Sequence, residues 1–406
     1  MHILFIHQNF PAQFGHIAAY LIRRKGYRCS FLSQLPAANV SGIERLQYQV
    51  MSGATERTHY CSRTFENVIW HSHAVYEALA SRPDIRPDLV AAHSGFLTTA
   101  FLRELYDCPI VNYFEYYYHT TGSDMDFRPD FPSTAINRLR AHARNANLLL
   151  DLETCDAGYS PTRWQRSLFP TIYLPKLRVI FDGIDTSVWR PLRGVPRRLG
   201  NWTVPEGMRV VTYVSRGLES IRGFDIFMRA ARIVCQRRKD VVFAVVGEDR
   251  ICYGGDAELI GTQSFKEWVL SRESYDLSRF VFTGLLPTPA LVNLFALSDL
   301  HVYLTVPFVL SWSLMDALAC GVTVLASDTA PVREMIVPGQ NGLLADFYDI
   351  EGLANQIGAI LDAPEEYRPL GRAGIEMIRD RYSLEVCLPQ MLSLYEDAIH
   401  SRRSAR

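Results

Sequence analysis

Phe308-Val-Leu-Ser-Trp-Ser-Leu-Met-Asp316-Ala-Leu-Ala-Cys-Gly321, running on into Val322-Thr-Val-Leu-Ala-Ser-Asp328, carries more fold information than any other part of the chain. It reads as a helix that begins at the end of a strand, holds an acid in its early turns and stops at a glycine. A buried strand follows at once. The pattern puts an acidic side chain and free backbone N–H groups where strand ends meet helix starts. In open α/β sheets that is where phosphorylated ligands bind.

Outward from this stretch the same alternation repeats. Ile3–His7, Tyr27–Ser33, Leu89–His93 and Pro109–Tyr116 read as strands. Phe14, Ile17, Ala18, Leu21 and Ile22 make one apolar helical stripe before Gly26. A helix carrying Leu97, Phe101, Leu102 and Leu105 is expected next, and another over about 134–150. Phe181-Asp-Gly-Ile-Asp185 through Arg190–Arg198 has the composition of a linker. Strand candidates then resume at Val210–Val214, Val241–Val246, Phe280–Thr283, Leu300–Thr305, Val322–Ala326 and Leu343–Ala345, with a clear helix at Phe224–Arg238. From Ile350 the chain turns helical. The expected fold is α/β. It comprises a Rossmann-like doubly wound domain over 1–190, a second over 191–385, a cleft between them, and a helix over 386–406 packing back toward the first.

The chain has 406 residues and a formal net charge of −1, so nothing in its balance draws it toward nucleic acid. Eight cysteines stand singly, with no C-x-x-C and no Cys/His ligand spacing. Most read as small buried hydrophobes of a reducing, cytoplasmic compartment, and no metal site is expected. The opening Ile3-Leu-Phe-Ile6 reads as a strand rather than a leader. Arg23-Arg-Lys25 and Arg138, Arg140 and Arg144 form basic helix faces. They suit either solvation or a peripheral contact with the inner face of a membrane.

Several constellations could carry chemistry. Arg216 and Arg222, with Gly217 and Gly223, follow the first strand of the second half, and two guanidinium groups can converge on one anion. Ser311, Trp312, Ser313 and Asp316 open the quoted helix, where N–H groups suit phosphate and an acid suits ribose hydroxyls, or where a serine simply caps. Gly247-Glu-Asp249 and Gly284-Leu285-Leu286 are strand-to-loop turns whose backbone could meet a nucleobase edge. Gly15 lies in the first strand-to-helix turn, without the G-x-G-x-x-G of dinucleotide binding. Tyr113-Phe-Glu115-Tyr-Tyr117-Tyr-His119 and His93 offer rings, a carboxylate and imidazoles for a sugar, or plain core packing. His71 and His73 read as mid-helix structural residues.

The order Arg216, Arg222, Asp316, Ala317-Leu-Ala-Cys-Gly321, Ala326-Ser-Asp328, Glu334 and Gly339-Gln-Asn-Gly-Leu-Leu344, with the linker Phe181–Thr186, resembles the retaining GT-B glycosyltransferases of family 4. The resemblance implies a UDP- or GDP-sugar donor held mainly by the second half, and no metal cofactor. The acceptor would be a saccharide, glycolipid or small-molecule hydroxyl. Arg216 takes the place of the diphosphate-binding arginine, and Arg222 that of a lysine before glycine. Of the family's acidic pair, the ribose-binding member corresponds to Asp316 and the sugar-binding member to Phe308; Ser311 replaces a usual glycine. The implied site comprises Arg216, Arg222, Glu115 and His93 as catalytic groups. Gly15, Gly217, Gly247, Leu285, Phe308, Ser311, Trp312, Ser313 and Asp316 would hold the donor, and Tyr117 and His119 the acceptor. A sugar-nucleotide epimerase, a phosphorylase or a non-catalytic GT-B binding protein are the alternatives.

Overall fold

The computed structural model describes residues 1–24, 26–35, 40–199, 202–261 and 264–404. Lys25, read above as part of a basic face, lies outside them. The chain forms two compact units. One comprises Met1–Thr120, Thr134–Gly183 and Leu384–Arg406, the other Thr121–Ser133 and Ile184–Ser383.

The first unit is built on seven parallel strands: β1 (His2–Ile6), β2 (Arg28–Ser33), β3 (Ile43–Gln47), β4 (Leu89–His93), β5 (Ile110–Tyr113), β6 (Ala157–Ser160) and β7 (Leu177–Val179). Their order is β3-β2-β1-β4-β5-β6-β7. Alternation along β1 serves two cores. Ile3 and Phe5 join Phe14, Ile17 and Leu21, whereas Leu4 and Ile6 join Val75, Leu97 and Leu152. A strand covered on both faces reads as an unbroken apolar run for this reason. The last helix, Leu384–Ser404, buries Leu388, Met391, Tyr395 and Ile399 in the Ile3–Phe5 core.

Two expectations change here. The helix expected across Leu97–Leu105 is only a 3-10 turn, Ala100–Glu104. The Thr98 hydroxyl and the Thr99 N–H and hydroxyl all donate to the buried Asp151 carboxylate, and Thr98 Oγ1 also accepts from Ala100 N. Side chains thus take up the donors that a first helical turn would use. The strand expected over Pro109–Tyr116 spans only Ile110–Tyr113, ending where its pairing with β6 ends.

The second unit has β8 (Arg198–Leu199) and β9 (Trp202–Thr203) as a small antiparallel pair, then six parallel strands. These are β10 (Arg209–Gly217), β11 (Val241–Glu248), β12 (Phe280–Gly284), β13 (Leu300–Tyr303), β14 (Val324–Ser327) and β15 (Leu343–Ala345), in the order β12-β11-β10-β13-β14-β15. β14 starts two residues later than the sequence suggested, because Gly321 turns the chain with φ +76° before it. The helix Phe224–Arg237 packs its Phe227, Ala230, Ala231 and Val234 into a core shared with Leu353, Ile357 and Leu361. Segment 121–133 belongs to this unit, and its Phe127 and Phe131 pack on the same core.

In each sheet the strand order reverses at one place. β1 and β4 flank it in the first unit, β10 and β13 in the second. Ligands of open α/β sheets bind beyond the carboxyl ends of such strand pairs.

Candidate functional site

The turn after β10 holds two arginines in different states. Arg216 is exposed, and its Nη1 donates to the Tyr253 hydroxyl at 3.4 Å. Arg222 is 5% exposed and donates from Nη1 to Thr305 Oγ1 at 2.8 Å and to the Val309 carbonyl at 2.9 Å. Its guanidinium lies 5.5 Å from the Tyr253 ring centre and 5.6 Å from that of Phe308. The two rings are themselves 5.8 Å apart. Tyr253 therefore touches both arginines, one by its hydroxyl and one by its ring. Among the described residues only part of the Arg222 donor set is spent on protein, so the group keeps hydrogen-bonding capacity for an anion.

The turn between the arginines is pinned from several directions. Glu219 is fully buried, and its Oε2 accepts the backbone N–H groups of Cys252, Tyr253 and Gly254 at 3.0, 2.9 and 3.0 Å. Burial pushes its carboxyl up despite those donors. Ser220 donates from N (2.7 Å) and from its hydroxyl to Asp256. The Tyr213 hydroxyl donates to the Arg222 carbonyl at 2.8 Å. Gly223 follows with φ +63°, a conformation that favours glycine and lets the next helix start at once. At Gly217 a Cβ would lie 2.4 Å from the Arg250 carbonyl, so loop 250–254 could not sit where it does.

Across the reversal point, the segment after β13 supplies the other wall. Ser311 is the N-cap of Trp312–Ala319; its hydroxyl accepts from Ser313 N at 3.4 Å, and its own N–H donates to Tyr303 Oη at 2.8 Å. Ser313 donates to the Val214 carbonyl at 3.2 Å, tying this helix to β10. Trp312 is exposed. Asp316 is buried, and burial pushes its carboxyl well above the usual range; no cation is recorded beside it among the described residues. Gly247 sits against Leu218 and the Ser215 carbonyl, beside the arginine turn. Leu285 is exposed just past β12.

At the reversal point of the first unit, His7 follows β1 and His93 ends β4, their rings edge to face at 5.1 Å. Both are buried, and among the described residues the Nε2 of each has no hydrogen-bond partner. His93 Nδ1 lies 2.7 Å from the Ser94 carbonyl and so carries the proton, leaving a lone pair on Nε2. Burial, with a smaller contribution from His7, holds His93 well below the usual histidine range. Its 3.8 Å contact with Glu115 Oε2 is therefore not an ion pair near neutral pH. Gly15 begins its helix against the Pro11 ring. Tyr117 packs on Phe169, and His119 Nε2 bonds the Leu168 carbonyl at 2.8 Å. His71 bonds Tyr48 Oη from within its helix, consistent with a structural role. Among the described residues no three His, Cys, Asp or Glu side chains are grouped to hold a metal ion.

Four residues that sequence reasoning did not single out shape these sites. Tyr253 had a faint signal, a ring within Tyr253-Gly-Gly just after a strand. Glu219 stood out only as an acid between two arginines. His7 ends the strand expected over Ile3–His7, as His93 ends the one over Leu89–His93. Arg128, buried against the arginine turn, gave no local signal, because its partners in that turn are 92 and 97 residues away.

Comparison with known proteins bears on the family and the fold. Residues 25–189 match the glycosyl transferase family 4 group, and residues 199–377 match glycosyl transferases group 1. N-acetyl-alpha-D-glucosaminyl L-malate synthase of Bacillus anthracis is 22% identical over 57% of this chain and 56% of its own length. A D-inositol 3-phosphate glycosyltransferase of Corynebacterium jeikeium is 26% identical over 54% and 52%. The chain thus spans about half the length of the curated relatives it matches. Among solved structures, sucrose-phosphate synthase of Thermosynechococcus elongatus superposes with a TM-score of 0.72 at 19% identity, covering 99% of this chain and 100% of that one. Anabaena HepE, solved with UDP-glucose, gives 0.65 at 17%, covering 100% of both. With two glycosyl transferase models matching successive halves, and two Rossmann-like units to carry them, the chain belongs to the GT-B glycosyltransferases of family 4.

Proposed function

We propose that this protein transfers a hexosyl group from a UDP- or GDP-sugar to an acceptor hydroxyl, with retention of anomeric configuration. The observation that carries the reading is the pairing of Arg216 and Arg222 through Tyr253, opposite the capped helix start at Ser311. Two guanidinium groups and a helix N-terminus at one sheet reversal suit a diphosphate. In this reading Arg216 and Arg222 bind the diphosphate and stabilise it as it leaves, so the reaction needs no metal. Ser311, Trp312 and Ser313 line the phosphates, Gly217 and Gly247 let the backbone approach, Asp316 takes the ribose hydroxyls, and Leu285 borders the base. HepE, similar in fold, was solved with UDP and with UDP-glucose.

In the first unit, His93 with Glu115 takes sugar hydroxyls, Gly15 borders the donor, and Tyr117 and His119 serve the acceptor, a saccharide, glycolipid or small molecule. The neutral His93 Nε2 suits a hydroxyl hydrogen. The leaving diphosphate then accepts the acceptor's proton, and the protein contributes position and charge.

A thermal-shift and calorimetric screen against UDP, GDP and their sugars tests the reading, followed by a transfer assay. Arg216→Ala is expected to lower turnover by about 100-fold or more. Near-normal turnover in that variant would sink the assignment.

A further inference from the structure

Arg128 lies in segment 121–133, which the chain inserts into the second unit between two stretches of the first. It is 3% exposed, and no part of the proposed donor site includes it. Its Nη1 donates to the Ser220 carbonyl at 2.8 Å and to Asp225 Oδ1 at 2.9 Å, while Nη2 donates to Asp225 Oδ2 at 2.7 Å. Asp130 receives the opposite edge, through Nε at 3.2 Å and through Nη2. The Phe131 and Phe347 ring centres lie 4.6 and 5.3 Å from the guanidinium. Tyr348 donates to the Phe127 carbonyl at 2.9 Å, and its ring stacks on Phe127.

The target of this arginine matters more than its burial. Ser220 and Asp225 bracket Arg222 and Gly223, the end of the arginine turn and the start of its helix. Ser220 passes the contact on to Asp256, and Glu219 to the N–H groups of 252–254, which carry Tyr253. Tyr253 touches both arginines. Hydrogen bonds joined through the backbone at 219–220 thus run from segment 121–133 to the proposed diphosphate clamp. A buried, fully bonded guanidinium fixes geometry, since a bidentate pair admits few orientations.

We propose that Arg128 is a positioning residue for nucleoside diphosphate binding, holding the 216–223 turn in the conformation that presents Arg216 and Arg222 to phosphate. The inference rests on the donor-site reading above. Segment 121–133 is then part of the donor site's support, although it comes from the first half of the sequence. Arg128 touches no substrate; it acts through Ser220 and Asp225.

Calorimetry of UDP and GDP with the 406-residue chain tests this, alongside unliganded thermal melts. Arg128→Gln is expected to weaken nucleoside diphosphate binding by about tenfold or more, with partial recovery in Arg128→Lys, which keeps the charge but not the fork. Recovery that follows charge and fork rather than melting temperature is the outcome a merely structural role would not give. If Arg128→Gln does not fold, Asp225→Asn serves in its place and is expected to weaken binding in the same direction. Binding within about twofold of the unaltered chain in a folded Arg128→Gln or Asp225→Asn protein overturns the proposal. Absence of nucleoside diphosphate binding by the unaltered chain overturns the donor-site reading itself, a result visible before any variant is made.

Discussion

Arg222 faces the ring of Phe308, its guanidinium carbon 5.6 Å from the ring centre, with Tyr253 at a nearly equal 5.5 Å. A ring orients the cation without neutralising it, whereas a carboxylate there would compete with phosphate for the same donors. Such a contact is worth about 0.5–2 kcal/mol, depending on how dry it is. Phe308→Leu keeps the apolar volume and loses the ring face. The expected result is a loss of about three- to tenfold in UDP or GDP affinity, measured by calorimetry, with little change in melting temperature. Unchanged affinity would mean that the ring does not orient Arg222 for the ligand.

Glu219 predicts a larger structural effect. One carboxylate oxygen accepts three successive N–H groups, and in Glu219→Ala all three lose that partner inside the protein. Unsatisfied buried donors cost about 1–3 kcal/mol each, and water entry recovers part of that. A destabilisation of about 3 kcal/mol is expected in denaturant unfolding, together with loss of protection from hydrogen exchange at Cys252, Tyr253 and Gly254. Retention of slow exchange at those amides would refute the anchoring role.

The same turn shows how far the sequence alone could reach. Apolar periodicity sufficed for β4, whose bounds coincide with the structure because all five of its residues are buried and leave an unbroken apolar run; the bounds of β15 coincide too, although Leu343 and Leu344 are only half-buried at the sheet edge. It failed at Leu97–Leu105. There Asp151, some fifty residues away, takes the donors of the would-be first turn, and no local pattern records that. Arg216 and Arg222 were legible because a strand end, two glycines and two cations fall within eight residues. Tyr253 and Arg128 were not, since each acts on the turn across a long sequence separation, and Glu219, inside the turn, was not, since the N–H groups it holds lie 33 to 35 residues further on.

Gly217 tests the close approach directly. A Cβ there would lie 2.4 Å from the Arg250 carbonyl and 2.7 Å from Cys252 Sγ. The carbonyl belongs to backbone and cannot swing aside, so Gly217→Ala forces loop 250–254 outward and carries Tyr253 away from both arginines. A destabilisation of about 1–3 kcal/mol is expected, with a loss of nucleoside diphosphate affinity greater than that of Phe308→Leu. A variant that melts like the parent and binds UDP or GDP equally well would show that the loop has room to give.

His301 supplies a pH dependence whose sign can be worked out. It sits on β13, fully buried, with Nδ1 3.0 Å from Thr212 Oγ1, the Phe295 ring edge-on at 5.3 Å, and Nε2 without a hydrogen-bond partner among the described residues. Burial lowers its pKa from 6.5 to about 3. As pH falls below 6.5 the unfolded chain takes up this proton while the folded chain does not. Stability present above pH 6.5 is therefore lost on acidification toward pH 3. Between pH 7 and pH 5 this one group removes about 2 kcal/mol. Asp151, raised to about 6 mainly by its burial, acts in the opposite sense over about pH 4 to 6. Comparing the unaltered chain with His301→Asn cancels that shared contribution. The variant is expected to be less stable at pH 7, with the gap narrowing by about 2 kcal/mol at pH 5 in denaturant unfolding. A gap that stays constant across that interval would show that His301 takes up its proton equally in both states.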